Sequence, residues 1–86
     1  MVEIKFIVHT DSFKDDVRKI KDKAVKERLQ TRIQKVTGNP EFGKPLKYAL
    51  KGEWSVRIKP YRLIYKVEGD KLILLRFEHR KEVYER

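Results

Sequence analysis

The chain has 86 residues, which is enough for one domain with a modest hydrophobic core and too few for two. It carries 22 Lys and Arg against 13 Asp and Glu, giving a formal net charge of +9. A positive surface of this kind favours acidic partners, nucleic acid first among them. The charge does not prove such binding, because ribosomal proteins, chromatin proteins and proteins from hot environments have similar charge statistics.

The residue types exclude several kinds of site. There is no cysteine, so hydrophobic packing rather than disulfides or thiolate metal sites must stabilise the domain. The two histidines, His9 and His79, are far apart, and no cluster of His, Asp and Glu has metal-ligand spacing. We therefore expect no metal and no cofactor. Residues 1–5 lack the apolar core of a signal peptide, and no run approaches the ~20 apolar residues of a membrane span. We expect a cytoplasmic protein without membrane contacts.

The N-terminal segment predicts a strand followed by a short helix. Apolar residues occupy every second position from Val2 to Val8, which is the period of a half-buried strand. The segment Thr10–Ser12 then offers side chains that cap a helix N-terminus. Apolar residues at helical spacing follow at Phe13, Val17 and Ile20.

A second amphipathic helix is predicted up to the Gly38–Pro40 turn. Its apolar stripe consists of Ala24 or Val25, Leu29, Ile33 and Val36. Together the two segments predict a helical hairpin. One long helix through Asp22 is the alternative, because nothing between Ile20 and Ala24 forbids it.

The C-terminal half predicts three antiparallel strands. Residues 38–52 are rich in Gly, Asn and Pro and are predicted to form a loop from helix to sheet. Strand patterns then cover Trp54–Ile58, Tyr61–Val67 and Leu72–Phe77, the last two joined by a turn-forming Glu-Gly-Asp-Lys segment. The predicted order is β-α-α-β-β-β. This predicts a single α+β domain over residues 1–86, with the helices on one sheet face and the other face open.

The hairpin around Lys59–Pro60 predicts a complete cross-strand register. The apolar and aromatic pairs fall on one face, which is suited to packing under the helices; they are Trp54 with Tyr65, Val56 with Leu63 and Ile58 with Tyr61. The other face pairs Arg57 with Arg62 and Ser55 with Ile64. Because Pro60 is not a preferred residue in a two-residue turn, a four-residue loop is an alternative that keeps the two arginines opposed.

The opposed arginines suggest an anion site. Like charges across a sheet cost roughly a few tenths to one kcal/mol, and a bound phosphate would remove that cost. Guanidinium groups bind phosphate through paired hydrogen bonds and stay charged at any cellular pH. The structural alternative is that Arg57 and Arg62 simply extend into solvent, as exposed charges on sheets often do.

The C-terminal segment carries groups suited to phosphodiester cleavage. Attack by a ribose 2′-hydroxyl requires a proton acceptor, cationic stabilisation of the phosphate and a proton donor for the leaving oxygen. His79 can exchange protons near neutral pH, Arg80 can stabilise charge, and Tyr84 can stack on a base or form a hydrogen bond. The alternative interpretation makes His79 a packing residue, Arg80 part of a solvated end and Tyr84 a core aromatic.

The residues of these segments resemble the RelE/ParE toxin superfamily. The resemblance rests on Leu50-Lys51-Gly52 leading into the Trp54–Ile58 strand, on Tyr-Arg-Leu-Ile-Tyr at residues 61–65, and on His-Arg-Lys-Glu-Val-Tyr at residues 79–84. It covers nearly the whole chain, including the β-α-α-β-β-β order. It implies a type II toxin that enters the ribosomal A site, cleaves messenger RNA without a metal, inhibits translation, and is silenced by an acidic, RelB-like antitoxin.

The same resemblance implies roles for individual residues. Arg57 matches a position that is usually basic, Arg62 matches the arginine that contacts the scissile phosphate, and Arg80 and Tyr84 match the C-terminal catalytic pair. Ser55 stands where many ribosome-dependent members carry a second cation. Lys51 or Lys59 are the candidates to supply the missing charge, and the alternative is that His79 takes over acid/base work. We expect catalysis from Arg57, Arg62, His79, Arg80 and Tyr84, and RNA contacts from Lys51, Ser55, Lys59 and Lys81.

Two other functions stay open at this point. ParE-like members of the superfamily inhibit DNA gyrase and lack the cationic catalytic set, and function does not follow from fold. A nucleic-acid-binding module without activity is the other alternative. The combination of Arg57, Arg62, Arg80 and Tyr84 favours cleavage, because a gyrase inhibitor has no evident need for cations that converge with a tyrosine.

Overall fold

The computed structural model describes residues 3–46 and 52–79, which form two helices and a five-stranded sheet. In chain order the elements are β1 (Phe6–His9), α1 (Asp11–Arg18), α2 (Lys23–Gly38), β2 (Lys44–Pro45), β3 (Trp54–Ile58), β4 (Tyr61–Glu68) and β5 (Lys71–His79). The α+β class and the β-α-α-β-β-β order are confirmed. The short strand β2, inside the segment predicted as a loop, is the one addition among the described residues.

The sheet has the strand order β1-β5-β4-β3-β2. Strands β3, β4 and β5 form the predicted antiparallel meander, and β2 extends it by pairing antiparallel with β3. Strand β1 lies parallel to β5 at the opposite edge. The two edges of the sheet are therefore formed by its two shortest strands.

The helices begin at capping residues and are separate. The Thr10 hydroxyl accepts a hydrogen bond from the backbone N–H of Phe13 (3.2 Å) and donates one to the carbonyl of Leu74 in β5 (2.8 Å), which ties the start of α1 to the sheet. Asp22 has an extended backbone, and its carboxylate accepts from the N–H of Ala24 at 2.9 Å. A residue in this conformation ends any continuous helix, so the chain forms the helical hairpin.

The hydrophobic core lies between the helices and one face of the meander. Phe13 from α1 and the apolar stripe of α2 pack on it, with Val25 rather than Ala24 as the first buried position of that stripe. The sheet contributes Val56, Ile58, Leu63, Tyr65, Leu72, Leu74 and Phe77. Each such side chain contributes about 1.5–3 kcal/mol by leaving water, so these rows fix which face of the sheet the helices cover.

The opposite face is less open than the sequence predicts. Ser55, Ile64 and Glu78 point to this face and are all buried. Arg76 is the cross-strand neighbour of Ile64 and forms ion pairs with Glu53 (2.6 Å) and Glu78 (3.3 Å). Long paired side chains lie along this face, so even its polar residues are shielded from water.

The predicted first strand is wrong in its bounds and burial. It begins at Phe6, and Phe6, Ile7 and Val8 are all exposed; Val2 lies outside the described residues. Ile4 precedes the strand and is partly buried against the core. The alternation of apolar residues did not reveal that β1 is an edge strand.

No helix among residues 3–46 and 52–79 is long and apolar enough to cross a membrane.

Candidate functional site

The predicted hairpin register is confirmed at every pair, and it places Arg57 directly across from Arg62. Strand β3 ends at Ile58 and β4 begins at Tyr61, so the connection has two residues rather than four, and the Lys59–Pro60 peptide bond is cis. Arg57 is exposed and Arg62 is half-buried. Both arginines point to the sheet face that the helices do not cover.

Arg62 is the central residue of a charged row across the sheet. Its neighbour on β3 is Arg57, and its neighbour on β5 is the buried Glu78. Glu78 is also held by Arg76, with Nε and Oε1 3.3 Å apart. The Arg62 side chain therefore stands between a like charge and an opposite charge, on a strand that is hydrogen-bonded on both sides.

A cavity of about 500 Å³ opens beside the two arginines. The residues that line it are Arg32, Lys35, Phe42, Gly43, Lys44, Ser55, Val56, Arg57 and Arg62. Five of these nine are cationic and none is acidic. Such a concentration of positive charge with no local countercharge in the lining makes the cavity suited to an anion.

Helix α2 supplies part of this charge. Arg28, Arg32 and Lys35 each precede a buried residue of the α2 stripe, so they lie about 100° around the helix from the core. The Arg28 guanidinium donates from Nη2 to the carbonyl of Lys59 at 2.9 Å. Arg28 and Arg32 also line a smaller cavity of about 270 Å³ with Arg57 and Lys59. The cationic surface thus continues from the β3–β4 turn to the end of α2.

The loop after α2 is fixed by Tyr65. The buried Tyr65 hydroxyl donates to the carbonyl of Pro40 (2.8 Å) and accepts from the N–H of Gly43 (3.0 Å). Burial raises the pKa of this hydroxyl above its ordinary value, and the hydrogen bond from Gly43 opposes that rise. A Cβ on Gly43 would lie 2.7 Å from the carbonyl oxygen of Ser55, so glycine is what allows the loop to approach β3. The bonds hold Phe42 and Lys44 at the cavity.

Four of the residues predicted from sequence are brought together here. Ser55, Arg57 and Arg62 line the larger cavity, and Lys59 lines the smaller one beside Arg57. Lys51, Arg80, Lys81 and Tyr84 lie outside the described residues. Their roles, and the expected proximity of Arg80 to the two arginines, therefore remain predictions.

The structure does not bring His79 to the arginines. His79 pairs with Tyr61 in the β4–β5 register, one residue beyond the Arg62–Glu78 pair. Because successive side chains of a strand point to opposite faces, His79 lies on the helix side of the sheet. Its ring meets that of Tyr61 edge-on, with centroids 5.5 Å apart. The sequence placed His79 in one cluster with Arg80 by proximity alone, which ignores this alternation.

Sequence reasoning missed the cations outside the hairpin. Arg32, Lys35 and Lys44 line the cavity, and none of them was assigned a role from the sequence. The spacing of Arg28, Arg32 and Lys35 at i, i+4 and i+7 was visible as one helical face, but nothing in it indicated that the face borders β3. In the part of the chain that the structure describes, no group of three or more His, Asp or Glu could hold a metal ion.

The fold and the cavity define a class of protein: a small basic α+β domain with a helix pair on one side of a meander and a cationic cavity at the sheet edge. The family model for the "ParE toxin of type II toxin-antitoxin system, parDE" matches residues 7–84. The chain belongs to this RelE/ParE superfamily of type II toxins, as the resemblance predicted.

Individual relatives agree with this assignment. Toxin RelG of Mycobacterium tuberculosis is 39% identical over 46 residues, a match that covers 51% of this chain and 53% of RelG. The chain therefore spans about half the length of that curated relative. A RelBE toxin–antitoxin complex from the same organism has a TM-score of 0.75 at 26% identity, covering 87% of this chain and 96% of the other. A YoeB/ParE toxin from Agrobacterium tumefaciens has a TM-score of 0.80 at 27% identity, covering 87% and 98%.

Proposed function

We propose that this toxin is a ribosome-dependent endoribonuclease that cleaves messenger RNA and so inhibits translation. The observation that carries the proposal is the convergence of five cationic side chains on one cavity beside an opposed pair of arginines. Cleavage of an RNA backbone builds negative charge on a pentacoordinate phosphate, and preorganised cations are the main means of stabilising it. A cavity with this lining supports such chemistry.

The proposed reaction is internal transfer at phosphorus. The ribose 2′-oxygen bonds to the adjacent phosphorus while the bond from phosphorus to the 5′-oxygen breaks, leaving a 2′,3′-cyclic phosphate and a 5′-hydroxyl. One proton leaves the 2′-hydroxyl and one reaches the 5′-oxygen. Arg57 and Arg62 would bind the scissile phosphate. On the resemblance, we assign stabilisation of the developing charge to Arg80 and proton transfer to Tyr84. His79 is left out, because it lies on the other face of the sheet.

Lys44 is the best candidate for the second cation that Ser55 does not supply. It is the cross-strand partner of Ser55, and both residues line the cavity. Paired residues on antiparallel strands have Cα atoms about 4.5–5.5 Å apart, which a lysine side chain easily spans. Lys44 fits this role better than Lys59, which lines the smaller cavity.

We further infer that an acidic antitoxin silences the protein. A solved relative is a toxin–antitoxin complex, and the net charge of +9 favours an acidic partner. Expression of the chain alone should arrest growth, and co-expression with an adjacent gene for an acidic protein should restore it. Harmless expression of the chain alone would favour an inactive nucleic-acid-binding module.

Inhibition of DNA gyrase is the second candidate function. It is favoured by the match to the ParE family model over residues 7–84, since ParE-like members act on gyrase. It gives no role to the cationic cavity, because binding to gyrase requires no stabilised phosphate. The two functions differ in what they do to a translating message and to DNA supercoiling.

Toeprinting of a message on programmed ribosomes, run beside a gyrase supercoiling reaction, separates these functions. The wild type should cut the message in the A site, and Arg62→Ala should lower the rate about 10²–10³-fold, as loss of one transition-state cation typically does. Arg18→Ala is the matched control, because Arg18 is a highly exposed arginine on α1, paired only with Asp15 among the described residues. Uncut message with blocked supercoiling would refute the proposal in favour of gyrase inhibition.

A further inference from the structure

We propose that Phe42 is a stacking platform for one base of the RNA whose phosphate the arginines bind; this inference rests on the proposed function. Phe42 is 43% exposed and lines the cationic cavity. The other exposed large hydrophobic residues of the described chain, Phe6, Ile7 and Val8, lie on β1 at the opposite edge of the sheet. Phe42 is thus an aromatic ring set apart from the core, at the position where a nucleotide would bind.

The backbone that carries the ring is held in place by hydrogen bonds before any ligand arrives. The N–H of Phe42 donates to the carbonyl of Asn39 at 2.9 Å. On either side of it, the buried Tyr65 hydroxyl bonds to the carbonyl of Pro40 and to the N–H of Gly43. A ring on a backbone fixed at three points loses little conformational entropy on binding, so this exposed aromatic is suited to recognition.

The surroundings of the ring match the composition of single-strand binding sites. Such sites combine cations that follow the backbone with aromatic rings on which successive bases stack. Here the Lys35 ammonium lies 5.9 Å from the centroid of the Phe42 ring, and Lys44 and Arg57 line the same cavity. A base on the ring and its phosphate on the cations would occupy the cavity as one nucleotide. An unpaired RNA base fits this arrangement, because its face is free to stack.

A purely structural role for Phe42 makes a different prediction. In that case the ring would shield the end of α2, and its loss would lower stability without regard to any base. Phe42→Leu keeps an apolar side chain and removes the aromatic face, whereas Phe42→Tyr keeps the face. The pair therefore separates apolar packing from stacking.

The test is single-turnover cleavage on programmed ribosomes. The messages carry an abasic nucleotide at each position of the A-site codon and at its two neighbours in turn. For the wild type, one abasic position should lower kcat/KM about 5- to 150-fold, the range typical of one stacked base. Phe42→Leu should lower kcat/KM on intact message by a similar factor and should lose its sensitivity to that one position. Phe42→Tyr should keep the wild-type kcat/KM on intact message and the wild-type sensitivity to that abasic position. The melting temperatures of wild type, Phe42→Leu and Phe42→Tyr should agree.

The outcomes distinguish this inference from the proposed function. If the wild type cuts the message with dependence on Arg62, but Phe42→Leu cuts equally well and keeps the same abasic profile, the stacking role is wrong and the nuclease stands. A uniform loss at all positions together with a lower melting temperature would likewise overturn it, as a structural effect. If the wild type does not cut the message at all, the proposed function fails, and the inference fails with it.

Discussion

Tyr65→Phe tests the structure of the cavity through a single oxygen atom. The Tyr65 hydroxyl is buried and forms two hydrogen bonds, to the carbonyl of Pro40 and from the N–H of Gly43. The substitution keeps the aromatic ring in the core and removes both bonds. It should loosen the loop that carries Phe42 and Lys44 while leaving the sheet intact.

The expected loss of stability follows from the burial of the two partners. A buried polar group left unsatisfied costs about 1–3 kcal/mol. Pro40 is buried and its carbonyl loses its donor, whereas Gly43 is only half-buried and its N–H can regain water. We therefore expect a total loss of about 2–3 kcal/mol, which for a domain of this size lowers the melting temperature by roughly 8–24 °C.

Urea and thermal denaturation of wild type and Tyr65→Phe measure this loss. Tyr61→Phe is the matched control, because Tyr61 lies on the same strand and sheet face, stacks on Phe77, and forms no hydrogen bond through its hydroxyl within the described chain. It should change stability by less than about 0.5 kcal/mol. Equal effects of the two substitutions would refute the reasoning, since only one of them removes hydrogen bonds.

Three further predictions concern the same region. Burial raises the pKa of Tyr65 above its ordinary value of 10.0, so its contribution to the free energy of unfolding is complete below pH 10 and is lost as the pH rises through the folded-state pKa. Urea melts across that pH range should therefore show a steeper loss of stability for wild type than for Tyr65→Phe. Parallel curves for the two proteins would contradict this assignment. Gly43→Ala places a methyl group 2.7 Å from the Ser55 carbonyl oxygen, so urea denaturation should show a loss of about 1–3 kcal/mol in the free energy of unfolding, and cleavage of messenger RNA should weaken. An unchanged denaturation curve would contradict this prediction, because it would mean that the loop can move to accommodate the methyl group. Arg57→Ala removes the repulsion with Arg62 and should leave stability unchanged or raise it by up to about 1 kcal/mol in urea melts. Arg62→Ala removes the same repulsion but also the neighbour of the buried Glu78 carboxylate, so the two effects should offset each other and leave stability nearly unchanged. A large loss of stability for Arg57→Ala would show that the pair is not repulsive.

The residues that line the cavity differ in how rigidly their positions are fixed. Arg62 and Ser55 lie on interior strands of the sheet, while Lys44 lies on the edge strand β2 and Lys35 on the exposed side of α2. Side chains on interior strands are oriented by their neighbours, which favours precise contact with one phosphate. The peripheral lysines are longer-range point charges that suit the flanking phosphates of a strand.

The sequence by itself determined the two helices, the three strands of the meander and the register of the central hairpin. The turn at Lys59–Pro60 sets the pairing of the two strands, and apolar alternation with a period of two then assigns Val56 and Leu63 to the core face. That register carried Arg57 and Arg62 to the same face. The stripe of α2 and the capping residue Thr10 were equally visible, because helix periodicity and capping depend on neighbours within one or two turns. The break between the helices at Asp22 was left open by the sequence.

Only the tertiary structure decided what surrounds the arginines. Arg32 and Phe42 are distant in sequence from Arg57, and they share its cavity because α2 and its following loop pack beside β3, against the hydroxyl of Tyr65. The edge position of β1 likewise follows from the strand order of the sheet. His79 lies on the helix side of the sheet because β5 continues to that residue and pairs it with Tyr61. Periodicity reports which side of an element is buried, whereas the identity of its neighbours depends on long-range packing that no local pattern encodes.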